Sequence, residues 1–299
     1  MTRIEQFQRQ YNDFLAKNQF QGNPDTLYNQ MNYIMSIGGK RVRPLLSMIG
    51  NQTCGGNLNS GIEIGHVMEV FHNFSLVHDD IMDNADLRRG NETVHIKWNM
   101  PTAILSGDNM LVKAFELLIN YAGPNKDEIL KAFTKTAAEV CEGQQNDMDF
   151  ESMEHVDIDL YLKMIQCKTA VLLGCSLKCG ALSANCDIET SNVFYDFAIN
   201  MGMAFQLMDD YLDTFGKSES TGKIQGGDII QGKKTWLFLK SKESDEAKHN
   251  ELFSISDVTE KTSKTIQFWQ EIGIDNECLQ LIQSYKSKAQ IDLKTLESR

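Results

Sequence analysis

Apolar residues recur along this chain at the three-to-four-residue spacing of buried helix faces. Residues 61–84 (GIEIGHVMEVFHNFSLVHDDIMDN) follow it without a proline and without a glycine after Gly65. The same period predicts helices over 103–121, 127–145, 157–183, 191–215, 234–243, 257–273 and 276–297. Breaks fall at Gly55-Gly56, Gly90-Asn91, Gly123-Pro124, Asn185-Cys186-Asp187 and from Gly216 to Gly232, where the residues interrupt helical hydrogen bonding. No run alternates with period two, and no hairpin dipeptide sits between strand-like runs. No repeat, low-complexity tract or linker divides the chain. The pattern therefore predicts an all-α protein, one domain over residues 1–299. The charged stretch SKESDEAKHNE (241–251) is expected to be a solvated surface segment near a helix junction.

Composition narrows this picture. The 299 residues are 41% hydrophobic, enough for a sizeable core, and only 4 are proline, which suits long helices. No stretch approaches the roughly 20 apolar residues of a bilayer span, so no stable membrane insertion is expected. The N-terminal MTRIEQFQRQYNDF is polar and lacks the apolar run of a secretory signal. Forty-one acids against 29 bases give a net charge of −12, which argues against nucleic acid as a partner. An anionic ligand must then meet local cations or metals. Seven cysteines, an odd number without a CxxC, point to a reduced cytoplasmic protein. Cys175 and Cys179 can share a helix face; with no histidine nearby, buried small side chains are the better reading than a metal pair.

Two acidic strings carry the chemistry. In His78-Asp79-Asp80-Ile81-Met82-Asp83, Asp79 and Asp83 stand at i and i+4 and leave one helix face together. They repel each other, and at a helix C-terminus they also oppose the macrodipole, so a bound cation is the natural remedy. Few carboxylates with only oxygen ligands suit Mg²⁺, which keeps waters and takes substrate phosphates. Alone, the string reads better as a surface acidic cluster, because such strings are common. Asp209-Asp210-Tyr211-Leu212-Asp213 repeats it 130 positions later, again late in an apolar helix. Two such walls can grip metals around a diphosphate and stabilise its departure.

Basic residues surround these strings in an acidic chain. Gly38-Gly39-Lys40-Arg41-Val42-Arg43-Pro44 places three cations in a glycine-opened loop, where arginine forks suit phosphate oxygens. Arg88-Arg89-Gly90 follows the first acidic string; salt bridging to Asp83 or Asp86 is its alternative. Lys168-Thr169 interrupts an apolar helix, and Lys223 and Lys233 lie in a glycine-rich segment that resembles a phosphate-directed flap rather than a Walker loop. A solvated role suits each lysine singly just as well.

Taken in order, GGKRVRP, HNFSLVHDDIMDNADLRRG, GDNMLVKAFELL, EGQQNDMDF, KTA, FQLMDDYLD and GKIQGGDIIQGKKT closely resemble the trans-type polyprenyl diphosphate synthases, over roughly residues 30–240. The resemblance implies the isoprenoid synthase fold, a single bundle of long helices around a central cavity, and a homodimer. It implies three Mg²⁺ ions held by Asp79, Asp83 and Asp209, with Asp80 and Asp213 in support. It makes Arg88, Lys168, Thr169, Gln206, Lys223 and Lys233 ligands of an allylic diphosphate. Lys40, Arg43, His72 and Arg89 become ligands of isopentenyl diphosphate, with Arg41 a lesser candidate. Without it, His72 reads as a core histidine.

The implied reaction is ionisation, condensation and elimination, with Asp79, Asp80, Asp83, Lys168, Thr169, Gln206 and Asp209 around the reacting centre. The family limits product length with bulky groups eight, five and four positions before the first aspartate, here Phe71, Phe74 and Ser75. One aromatic above a small residue favours a C20 product over C15 and over longer chains; plain core packing is Phe74's alternative. A terpene cyclase is disfavoured by the intact second DDxxD and the basic loop. A non-catalytic subunit or a simple cation binder is disfavoured by two complete acidic strings and the cations around them.

Overall fold

The computed structural model describes residues 2–216 and 225–298. It divides into two compact units: residues 1–135 with 175–195, and residues 136–174 with 196–299.

In the first unit the helices are α1 (Arg3–Lys17), α2 (Asp25–Ser36), α3 (Val42–Thr53), α4 (Leu58–Met82), α5 (Val94–Lys97) and α6 (Met100–Asn120), with the start of α7 (Lys126–Ser152). Helix α4 packs most extensively against α3 and α6. It buries Ile62, Ile64, Val67, Met68, Val70, Phe71, Phe74 and Val77 on several faces, as expected of a helix that is apolar nearly all round. Asn57 begins it by accepting the amide of Asn59; Asp83 and the left-handed Asn84 (φ 49°) end it. One file of rings runs His78, Phe74, Phe71, Phe133, Phe115, with successive centroids 4.9, 5.4, 5.3 and 5.2 Å apart. Cys175 and Cys179 are buried with sulfurs 3.7 Å apart, as small core side chains.

The predicted helices begin at residue 61 and leave out α1, α2, α3 and α5, and the pattern also missed a hairpin. Leu87–Arg88 (β1) pairs antiparallel with Asn91–Glu92 (β2) across Arg89 and Gly90, both at positive φ (52° and 78°). Two-residue strands are too short to show alternation, and arginine is an unusual occupant of that turn position.

The second unit contains the rest of α7, α8 (Ile158–Ile165), a π-helical turn (Gln166–Ala170), the start of α9 (Val171–Leu182) and most of α10 (Ile188–Phe215). Beyond residue 224 come α11 (Gly227–Gln231), α12 (Trp236–Ser244), α13 (Glu246–Phe253), α14 (Val258–Glu271) and α15 (Ile274–Glu297). Its core gathers Tyr161, Ile165, Leu207, Ile229, Trp236, Trp269 and Ile274. Helix α11 falls inside the expected 216–232 break. Ile158–Leu182 forms one continuous run long and apolar enough to span a bilayer, contrary to the expectation of no such stretch, but 61% of its window is buried in the protein, as in a core helix.

The 241–251 stretch is only partly solvated. Ser241 and His249 are buried, with Ser241 Oγ 2.9 Å from His249 Nδ1, because each lies on the inward face of its helix.

Candidate functional site

The last turn of α4 brings three carboxylates to the end of the first unit's central helix. Asp80 is 1% exposed; its Oδ1 receives Arg88 Nε at 2.7 Å and Nη2 at 2.6 Å, while its buried Oδ2 has no hydrogen-bond partner. Arg88 Nη2 also reaches Asp79 Oδ2 at 3.4 Å. The salt-bridge partners of Arg88 are thus Asp80 and Asp79, with Asp83 acting at longer range, rather than the pairing with Asp83 or Asp86 weighed from sequence. Burial raises the Asp80 carboxyl above the usual carboxylate range against the pull of Arg88. Asp83, at the helix cap, is exposed.

The basic loop folds so that its arginines part company. Arg41 takes a left-handed conformation (φ 51°) and turns inward, where Nη1 meets Glu69 Oε1 at 2.6 Å and Nη2 donates to the Met35 carbonyl. It anchors the loop and is no free phosphate ligand, which corrects its candidacy. Lys40 is exposed. Arg89 Nη1 donates to the Gly38 carbonyl, and a Cβ at Gly39 (φ 124°) would lie 2.6 Å from Arg89 Cζ, so only glycine admits the guanidinium there.

Arg43 and Arg89 are left as a positive pair beside His72. Arg43 has a buried Nε without a partner, and burial, with Arg89 adding, lowers its pKa to about 10. His72 is held well below the usual histidine range by burial, then by Arg43, Arg89, Arg88 and Arg41. Among the described residues neither Arg43 nor Arg89 has a carboxylate within ion-pair distance. Two guanidiniums without a carboxylate at ion-pair distance have the chemistry to take an anion.

In the second unit the π turn presents Lys168 and Thr169. Lys168 Nζ meets Asp147 Oδ2 at 2.5 Å. Thr169 Oγ1 donates to Gln206 Oε1 (3.3 Å), and Gln206 Nε2 donates to Asp210 Oδ1 (3.1 Å). The buried Tyr161 hydroxyl donates to Asp210 Oδ2. With Lys233, Lys168, Thr169, Gln206, Asp147 and Asp210 line one cavity of about 60 Å³. A larger cavity of about 940 Å³, beside Asp157, Phe238 and His249, contains none of the sequence-predicted residues.

The second acidic string ends α10, with Asp209 exposed and Asp210 buried. Asp213 Oδ2 accepts the Asp228 amide at 2.9 Å and so starts α11. The Asp228 carboxyl is pushed up to about 7 by burial, against Lys233, with Asp210, Asp213 and Asp209 adding. Such crowding of carboxylates favours a cation. Lys223 lies outside the described residues.

Asp147, Tyr161, Asp210 and Asp228 were not singled out as site residues from sequence. Asp147 and Asp228 stood inside quoted strings, but nothing local marks an acid as a lysine's partner.

Among the described residues no three His, Cys, Asp or Glu side chains form a ready metal cage. Oxygen donors on helix ends, one of them the orphaned Asp80 Oδ2, fit Mg²⁺, which takes one or two carboxylates and completes its shell with water and phosphate.

The polyprenyl synthetase family model matches residues 24–272. The chain belongs to the polyprenyl synthetase family. It is 38% identical over 221 residues to a geranylgeranyl diphosphate synthase of Methanosarcina mazei, covering 73% of this chain and 68% of the relative. A short chain isoprenyl diphosphate synthase of Methanocaldococcus jannaschii is 40% identical over 233 residues, 77% of this chain and 71% of that one. A crystal structure of a geranylgeranyl pyrophosphate synthase superposes with a TM-score of 0.93 at 41% identity, covering 99% of this chain and 93% of the other. This polyprenyl synthetase is helical as its sequence predicted, with its acidic strings at helix ends.

Proposed function

We propose that this polyprenyl synthetase condenses isopentenyl diphosphate with dimethylallyl, geranyl and farnesyl diphosphates and stops at C20, with C15 the nearest alternative. The observation that carries the reading is the pair Arg43 and Arg89, beside His72, with no carboxylate at ion-pair distance among the described residues. A cation binder has no use for it, and neither does a cyclase, which takes no second diphosphate.

Asp79, Asp83 and Asp209 would hold magnesium, three ions by the family resemblance, with Asp80 and Asp213 in support. When bound, magnesium offsets the charge of the departing diphosphate. Lys168 and Lys233 add positive charge there, with Arg88 and Lys223 as further ligands of the allylic diphosphate. Arg43, Arg89, His72 and Lys40 hold isopentenyl diphosphate so that its double bond faces the allylic carbon. The allylic C–O bond breaks, the double bond attacks the cation, and a proton leaves to a diphosphate oxygen. Thr169 Oγ1 and Gln206 Oε1 offer dipoles to the cation.

Length follows from α4. Each residue back from Asp79 lies about 1.5 Å deeper. Phe74 is buried and braced by Phe71, which is itself backed by Phe133, so the floor is a stack of rings rather than one movable side chain. The relatives' names accord with C20.

We also propose a homodimer. Leu105, Val112 and Ile119 stand seven apart on α6 and are 59%, 60% and 58% exposed, an apolar stripe suited to a second copy. A cytoplasmic setting accords with seven unbridged cysteines.

The test is incubation with Mg²⁺, labelled isopentenyl diphosphate and each primer in turn, with chromatography of the dephosphorylated products. Accumulation at C20 is expected. Elongation well past C20 overturns the length assignment, and no incorporation with any primer overturns the reaction.

A further inference from the structure

The π turn at Gln166–Ala170 is one residue wider than α-helical geometry allows. One inserted residue rotates everything after it by about 100° relative to the preceding helix. The turn therefore decides which way Lys168 and Thr169 face. π turns are rare and persist where their surroundings over-determine them.

The surroundings here are two glycines and a carboxylate. On α7, a Cβ at Gly143 would collide with the Lys168 amide nitrogen, and would lie 2.7 Å from the Cys167 carbonyl carbon and 2.8 Å from Lys168 Cα. On α10, a Cβ at Gly202 would lie 2.9 Å from Ala170 Cβ and 3.0 Å from its Cα. The widened backbone fits only because both helices lack side chains where it bulges. One turn beyond Gly143, on the same face of α7, Asp147 grips the Lys168 ammonium at 2.5 Å.

We infer that Gly143 and Asp147 form a positioning face on α7 that sets the π turn and aims Lys168 and Thr169 at the allylic diphosphate, with Gly202 bracing the other side. This rests on the proposed reading of Lys168 and Thr169 as ligands of that diphosphate. The charge of Asp147 makes the inference testable. A carboxylate beside an anion-binding lysine repels the anion, so on charge alone its removal would tighten binding. Positioning predicts the opposite.

The experiment is steady-state kinetics with geranyl and isopentenyl diphosphates varied in turn, on Asp147→Asn, Gly143→Ala, Lys168→Ala and the Asp147→Asn/Lys168→Ala double variant. Asp147→Asn should raise the KM for geranyl diphosphate and lower kcat, together by about 10- to 100-fold in kcat/KM. The KM for isopentenyl diphosphate should stay within about twofold. In the Lys168→Ala background the same change should have no further effect, because Asp147 acts through Lys168. Gly143→Ala should show the same split with a larger loss. Should it fail to fold, Asp147→Asn and the double variant still decide. An unchanged or lower KM for geranyl diphosphate in Asp147→Asn, or full additivity with Lys168→Ala, overturns the positioning face. A Lys168→Ala variant with wild-type kinetics toward geranyl diphosphate removes the reading beneath it instead.

Discussion

On the proposed reading, the cation cluster of the first unit and the acid cluster of the second are opposite ways of holding a diphosphate. Around His72, burial first and then neighbouring arginines lower proton affinity, and Arg43 falls to about 10 against the pull of Glu69. Around Asp228, burial first and then neighbouring carboxylates raise it, to about 7, against the pull of Lys233. The first can meet an anion directly. The second meets one only through a cation or the few lysines beside it. A departing group needs charge neutralisation that grows as it leaves, which metal supplies. A substrate that is only held needs fixed forks.

The largest way to break this contrast is at the acidic end. Asp209→Ala should lower kcat by about 10³-fold, measured by product formation at saturating substrates. A loss confined to the KM for isopentenyl diphosphate would mean that the second acidic string belongs to the other substrate.

Removing a cation sharpens the contrast differently. Arg43 is half-buried with a buried, unpartnered Nε, and among the described residues no carboxylate lies within ion-pair distance of it, so it is positioned for ligand rather than for stability. Arg43→Met should raise the KM for isopentenyl diphosphate by about 10- to 100-fold while leaving the melting temperature of the ligand-free protein unchanged or higher. A lowered melting temperature would assign Arg43 to the fold instead.

Next comes the apolar floor behind the cations. Phe74→Ala should shift the product mixture beyond C20 and cost about 3–5 kcal/mol in unfolding free energy. An unchanged product with that same destabilisation would leave Phe74 as core packing alone.

Last comes a buried histidine outside the cluster. His66, 3% exposed, is depressed to about 4 by burial, with Arg41 adding. The unfolded chain binds this proton near pH 6.5 and the folded one only near 4, so stability is lost as pH falls through that window. The loss should be about 3 kcal/mol, read from denaturation midpoints, and His66→Gln should lack it.

Much of this was legible in the chain. Helical period gave most of the long helices to within a few residues, because burying one face is a local constraint, though α7 runs on to Ser152 where 145 was expected. The two acidic strings, the arginines and the aromatics before Asp79 were readable because their spacing along a helix already sets which face they share. The hairpin at Arg89-Gly90 was not, since two-residue strands have no period. The split among the loop arginines was not either. Lys40, Arg41 and Arg43 look alike as letters, and only the left-handed Arg41 and the buried Glu69, 28 positions away, send one of them inward.

By itself, then, the sequence determined the helical class, the placement of acids at helix ends and the supply of cations near them. Those depend on neighbours within a turn or two. The tertiary structure decided which cations stay uncompensated, which carboxylate grips Lys168 and that the helix carrying it widens into a π turn. Those outcomes depend on packing between residues far apart in the chain, where one missing Cβ or one buried partner carries more free energy than any local preference.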